Sequence, residues 1–151
     1  MNANASKPLL ERLDFDAADV AGFEAKFGKR AATFLGGLSG LFRLYRRLPY
    51  ESRLPQALRH QAAAVALYIS ERQDFLPDNQ INSMGLIDDL WLAYTALPPF
   101  RDALGEEVLQ SHWHSDTQLA EVLALAENAN ELTQHVPSKV LERLQDYLGT
   151  V

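Results

Sequence analysis

The stretch ALYISERQDFLPDNQINSMGLIDDLWLAYTAL, Ala66 to Leu97, decides the fold. Apolar residues recur at three- and four-residue steps on either side of its middle, with Val65 and Ile69 leading in and Ile87, Leu90, Trp91, Tyr94 and Leu97 following. That period belongs to a helix with one buried face, and no run alternates apolar and polar residues as a strand would. Between the two runs, Pro77, Gly85 and a set of polar residues supply turn chemistry. The reading is a helical hairpin, with Pro98 and Pro99 ending its second arm.

Working outward, "SRLPQALRHQ" opens the first arm, with Ser52 as its expected cap, Pro55 in its first turn, and Leu54, Leu58, Ala62, Val65 and Ile69 as its stripe. This helix is expected to end near Glu71, and the second arm to run from Asn82 or Ser83 to Leu97. Upstream, a long helix is expected to start at Asp16, whose carboxylate can cap free amides, and to run to about Leu48 with an interruption at Gly36, Gly37 and Gly40. Leu38, Leu41, Phe42, Tyr45 and Leu48 share one of its faces, whereas Arg43, Arg46 and Arg47 lie off it. Downstream, helices are expected from Pro99 to about Gln110, from Asp116 to about Gln134, and from Pro137 to Tyr147 with Gly149 as a stop. The fold class is all-α: a compact bundle of about five or six helices around the hairpin at 44–97, in one domain over 1–151.

The net charge of −6 hides an asymmetry. Residues 20–60 carry eight basic and two acidic side chains, while residues 61–151 carry four basic and fourteen acidic ones. Lys26, Lys29, Arg30, Arg43, Arg46 and Arg47 therefore mark a candidate surface for an acidic protein partner or an anionic membrane. Nucleic acid is not expected, because the acidic body repels phosphate and no aromatic-basic alternation is present. With no cysteine, the chain has neither disulfides nor thiolate ligands, and the start lacks a signal-peptide pattern, so the expected home is the cytoplasm, with contact at the membrane periphery. The uncharged runs AATFLGGLSGLF (Ala31–Phe42) and HQAAAVALYIS (His60–Ser70) are each about half of the roughly 20 residues a spanning helix needs, so no transmembrane segment is expected.

The hairpin resembles the signature of the YkvA-like family, a small bacterial domain of unknown function. The matching positions are Tyr68, Ser70, Asp74, Phe75, Leu76, Pro77, Asp78, Gly85, Asp88 and Asp89, and "RLPYESRLPQALR" resembles the lead-in of that family. The similarity spans roughly Leu44 to Leu97. Glu71 and Arg72 stand where the family has a proline and an apolar residue, and the loop "NQINSM" is longer and more polar. The resemblance implies a helical hairpin and no particular reaction.

Four aspartates, Asp74, Asp78, Asp88 and Asp89, fall within this hairpin. On a helical wheel Asp88 lies at the edge of the apolar face and Asp89 nearer solvent. Two readings stand side by side. In one, Asp74, Pro77, Asp78, Gly85, Asp88 and Asp89 form a structural clasp or binding site, with Arg59, Tyr68 or loop amides as donors to Asp88. In the other, the four carboxylates hold Mg²⁺ or Ca²⁺ in a metal-dependent hydrolase.

A second constellation, His112, His114 and Asp116, resembles the His-x-His-x-Asp opening of metallo-β-lactamase-type metal sites. Those sites follow a buried strand and end in another histidine, whereas here the surroundings are helical and position 117 is threonine. The competing reading is a loop in which Asp116 caps the next helix and Trp113 packs on the body. No nucleophile elbow, phosphate-binding glycine loop or dinucleotide fingerprint is present. The expected function is therefore non-catalytic: a scaffold that presents a rigid helical surface to a protein partner or to a second copy of itself, without a cofactor.

Overall fold

The computed structural model describes residues 13–75 and 84–150, with side chains except at 71–75, 84, 85 and 150. Among the described residues every regular element is helical. The chain runs through α1 (Ala17–Phe27), α2 (Lys29–Ala32), a 3-10 turn at Leu35–Gly37, α3 (Leu38–Arg47) and a second 3-10 turn at Leu48–Tyr50. It continues with α4 (Gln56–Phe75), α5 (Met84–Thr95), α6 (Leu97–Leu104), α7 (Glu106–Ser111), α8 (Leu119–Ala126), a 3-10 segment at Ala129–His135 and α9 (Ser138–Thr150).

α5 is the axis of the bundle, packed against α3, α4, α6, α8, α9 and the Ala129–His135 segment. Every residue from Leu86 to Tyr94 is buried, so this helix has no solvent face along those two and a half turns. A helix surrounded on all sides is held by its burial, and each fully buried Leu or Ile contributes about 1.5–3 kcal/mol relative to exposure. Two tyrosines tie it to the N-terminal half. Tyr94 donates from its hydroxyl to the Phe34 carbonyl at 2.7 Å, and Tyr45 on α3 donates to the Ala93 carbonyl. Burial pushes both phenols well above their ordinary pKa, so both stay neutral donors. α9 closes the far side, with the Tyr147 hydroxyl donating to Ala64 at 2.6 Å and the Gln61 amide to Leu148 at 3.0 Å.

Asp16 caps α1 as expected: its carboxylate accepts from Asp19 N at 2.8 Å, and the Asp19 carboxylate accepts from Asp16 N at 3.2 Å. The long helix expected from Asp16 to Leu48 is instead several pieces. Gly28 takes φ +95°, a value that side chains with a Cβ avoid, and breaks the run eight residues before the glycines expected to do so. Gly105, at φ +84°, similarly splits the helix expected from Pro99 to Gln110 into α6 and α7. Pro98 and Pro99 sit in the first turn of α6, where a missing N–H costs nothing, so they restart a helix as well as end one.

Other expected boundaries also move. Ser52 lies in a turn and α4 begins at Gln56 and runs to Phe75, beyond Glu71. Asp116 does not cap α8, whose N-cap is Gln118. The expected helix from Asp116 to Gln134 divides into α8 and the 3-10 segment, and α9 continues through Gly149. These divisions give more helical segments than the five or six expected. No helix among the described residues is long and apolar enough to cross a membrane.

Candidate functional site

The hairpin carboxylates come first. Asp88 is 4% exposed and Asp89 0%, and both make polar or electrostatic interactions within the chain. The wheel placed Asp89 toward solvent because it assumed one apolar face, whereas α5 has neighbours on every side. Pro77 and Asp78 lie outside the described residues, as does the side chain of Asp74, while Gly85 falls in the first turn of α5. Arg59 has its Nε buried without a hydrogen-bond partner. Among the described residues no three His, Asp or Glu side chains come together as a metal site.

The structure gathers a different set. The buried face of α3, formed by Leu38, Leu41, Phe42, Leu44 and Tyr45, fixes the rotation of that helix. Arg43, Arg46 and Arg47 then project from the opposite side at positions i, i+3 and i+4, where side chains are neighbours. The loop from His112 to Gln118 is fastened across them. A Cβ at Gly40 would stand 2.6 Å from the Trp113 ring, so only a glycine lets that buried indole lie on α3. The Trp113 indole N–H donates to the Thr117 carbonyl at 2.8 Å, and the Thr117 hydroxyl donates to the Gly36 carbonyl at 2.7 Å. The Arg43 guanidinium donates to the His114 carbonyl at 3.2 Å.

This fastening makes a cleft of about 570 Å³ lined by Arg43, Arg46, Arg47, Tyr50, His112 and His114. Among the described residues no carboxylate lines it and none of its three arginines has a carboxylate partner. The Arg46 guanidinium lies 5.5 Å from the Phe42 ring, a cation–π contact that orients it. Tyr50 stands at the rim with 88% of its surface exposed. The Nε of Arg43 and the Nε2 of His112 are buried without hydrogen-bond partners among the described residues.

Behind the cleft is Glu51, buried, with one carboxylate oxygen 3.9 Å from His112 Nε2 and the other accepting from Arg53. The Arg53 hydrogen bond holds the Glu51 carboxyl below the ordinary range, partly opposed by desolvation and aided by the Arg53 charge and by His112. Its negative charge is thus already matched by Arg53.

The six cations singled out in the sequence are not all gathered at the cleft, which takes Arg43, Arg46 and Arg47. Lys29 and Arg30 line a separate cavity of about 290 Å³, where Arg30 is paired with Glu131, and Lys26 lies over the Phe27 ring. Trp113 packs on the body as expected. His114 and His112 both line the arginine cleft, and His112 turns its Nε2 toward the Glu51 carboxylate behind it. Tyr50, Glu51 and Arg53 carried no signal of their own beyond a dense charged stretch after a helix stop. No protein-family model, curated protein or solved structure matches the chain.

Proposed function

We propose that this protein is a non-catalytic interaction module that binds an anionic site on a partner protein through its arginine cleft. The observation that carries this reading is the set of three guanidiniums, Arg43, Arg46 and Arg47, with no carboxylate among the described residues to neutralise them. Like charges at i, i+3 and i+4 destabilise a helix by about 0.2–0.5 kcal/mol per pair. A cluster that costs stability and makes no ion pair among the described residues is suited to an external anion. The C-terminal end of α3 partly offsets the cost through the helix dipole.

In this reading the α4–α5 hairpin, with its resemblance to the YkvA-like signature, is the frame, and Asp88 and Asp89 belong to its clasp. The burial of both carboxylates supports a clasp over ligands of a solvent-reached metal. The absence of cysteine suits a reducing cytoplasm.

Fluorescence anisotropy of a labelled glutamate-rich peptide tests the proposal. Binding is expected to weaken with added salt and to fall by about tenfold in the Arg46→Gln/Arg47→Gln variant, as for loss of charge-assisted contacts. A peptide that binds equally to the variant, or a cleft that binds no anion at low salt, sinks it.

A further inference from the structure

We infer that the anionic determinant recognised by this cleft is a phosphoryl group, carried on a side chain of the partner protein. The inference rests on the reading of the arginine face as an anion site and narrows it to one chemistry. The distribution of charge decides it. An acidic peptide held along its length needs a strip of cations, but the cations here are separated into foci. Arg43, Arg46 and Arg47 converge with His112 and His114 on one cavity, whereas Arg30, in the next cavity, is already occupied by Glu131.

A single focus of this kind exceeds what one carboxylate can use. A carboxylate offers two oxygens and one negative charge, enough for one guanidinium fork. A phosphomonoester offers three terminal oxygens and a charge of about −1.5 to −2, so it engages several guanidiniums at once. Arginine matches that geometry better than lysine because its donors are planar and fixed. Among the described residues, the permanent cations of the cleft are all arginines. Arg43 is steadied by its bond to the His114 carbonyl and Arg46 by the Phe42 ring, so two of the three donors are held before a ligand arrives. Glu51, behind His112, is paired with Arg53 and is not among the residues that line the cavity. The exposed ring of Tyr50 offers the residues flanking the phosphorylated position an apolar surface at the rim.

The test is isothermal titration calorimetry of the full chain with one peptide in three forms, carrying serine, phosphoserine or glutamate at its centre. Thermal melts of the wild type and of Arg46→Gln/Arg47→Gln confirm that both are folded, and vesicles containing phosphatidic acid form a separate arm. The phosphoserine form is expected to bind at least about tenfold more tightly than the glutamate form, with the gain lost in the double variant. Equal binding of the phosphoserine and glutamate forms overturns the phosphoryl inference and leaves the anion reading standing. Binding of none of these probes removes both. Binding to the vesicles alone overturns the inference as well, by moving the phosphoryl group from a protein to a lipid surface.

Discussion

α5 and α3 both carry charge next to the core, and they treat it in opposite ways. On α5, Asp88 and Asp89 are shut away from water and engaged inside the protein. On α3, Arg43, Arg46 and Arg47 surround a cleft and meet no carboxylate among the described residues. An ionised group is buried at large cost unless it is matched, so the aspartates report on how the bundle is held. Guanidiniums beside solvent keep their hydration, so the arginines cost far less than buried charges would and, in the proposed reading, serve what the bundle meets. The two helices touch, which places the buried carboxylates and the arginine cleft on neighbouring elements.

Mutations can break or sharpen that contrast. The largest effect is expected from Asp89→Ala, which removes a completely buried carboxylate and leaves its partner behind. A loss of about 3 kcal/mol or more in urea unfolding is expected, and a loss under about 1 kcal/mol would remove the clasp from the comparison. Next comes Gly40→Ala, whose new methyl would lie 2.6 Å from the Trp113 ring. The loop must shift, at about 1–3 kcal/mol, and anion binding should weaken along with the thermal midpoint. Unchanged binding would show that the loop is not part of the cleft.

The effect of Glu51→Gln should be smaller and confined by pH. Because the folded carboxyl is held below its ordinary range, its contribution is present above the unfolded value of about 4.3 and disappears as the pH falls through the lower folded value. Melts of wild type and variant should therefore differ at neutral pH and converge in acid. Divergence that grows in acid would reverse the sign assigned to this group. Least affected in stability is Arg46→Gln/Arg47→Gln, expected within about 0.5 kcal/mol of wild type. A larger loss by chemical denaturation would mean that these arginines serve the fold after all.

Much of the core was legible because the apolar steps are regular. Leu38, Leu41, Phe42, Tyr45 and Leu48 are all buried as one face, and so are Ile87, Leu90, Trp91, Tyr94 and Leu97. Leu54, Ala62, Val65 and Ile69 are buried on the first arm of the hairpin, with Leu58 partly so. Asp16 was recognisable as a cap because Asp19 completes the box from three residues away. Asp89 was misplaced because a single helix does not reveal how many neighbours surround it. Gly28 and Gly105 were passed over because a lone glycine does not announce a positive φ. The cleft was harder still. Both halves were noticed, the arginines as a basic surface and the histidines as a metal-like pattern. Their junction depends on Gly40, Trp113 and Thr117, residues whose spacing along the chain carries no trace of the contact.

The packing of Trp113 also equips the cleft with its own optical probe. The chain has two tryptophans, and the other, Trp91, donates to the Thr133 hydroxyl at 3.3 Å. In a Trp91→Phe background the emission comes from one indole, seated on α3 and hydrogen-bonded within the His112–Gln118 loop. A ligand that draws the loop and the arginines together would alter the colour and polarisation of that emission, so occupancy becomes readable in real time without a label.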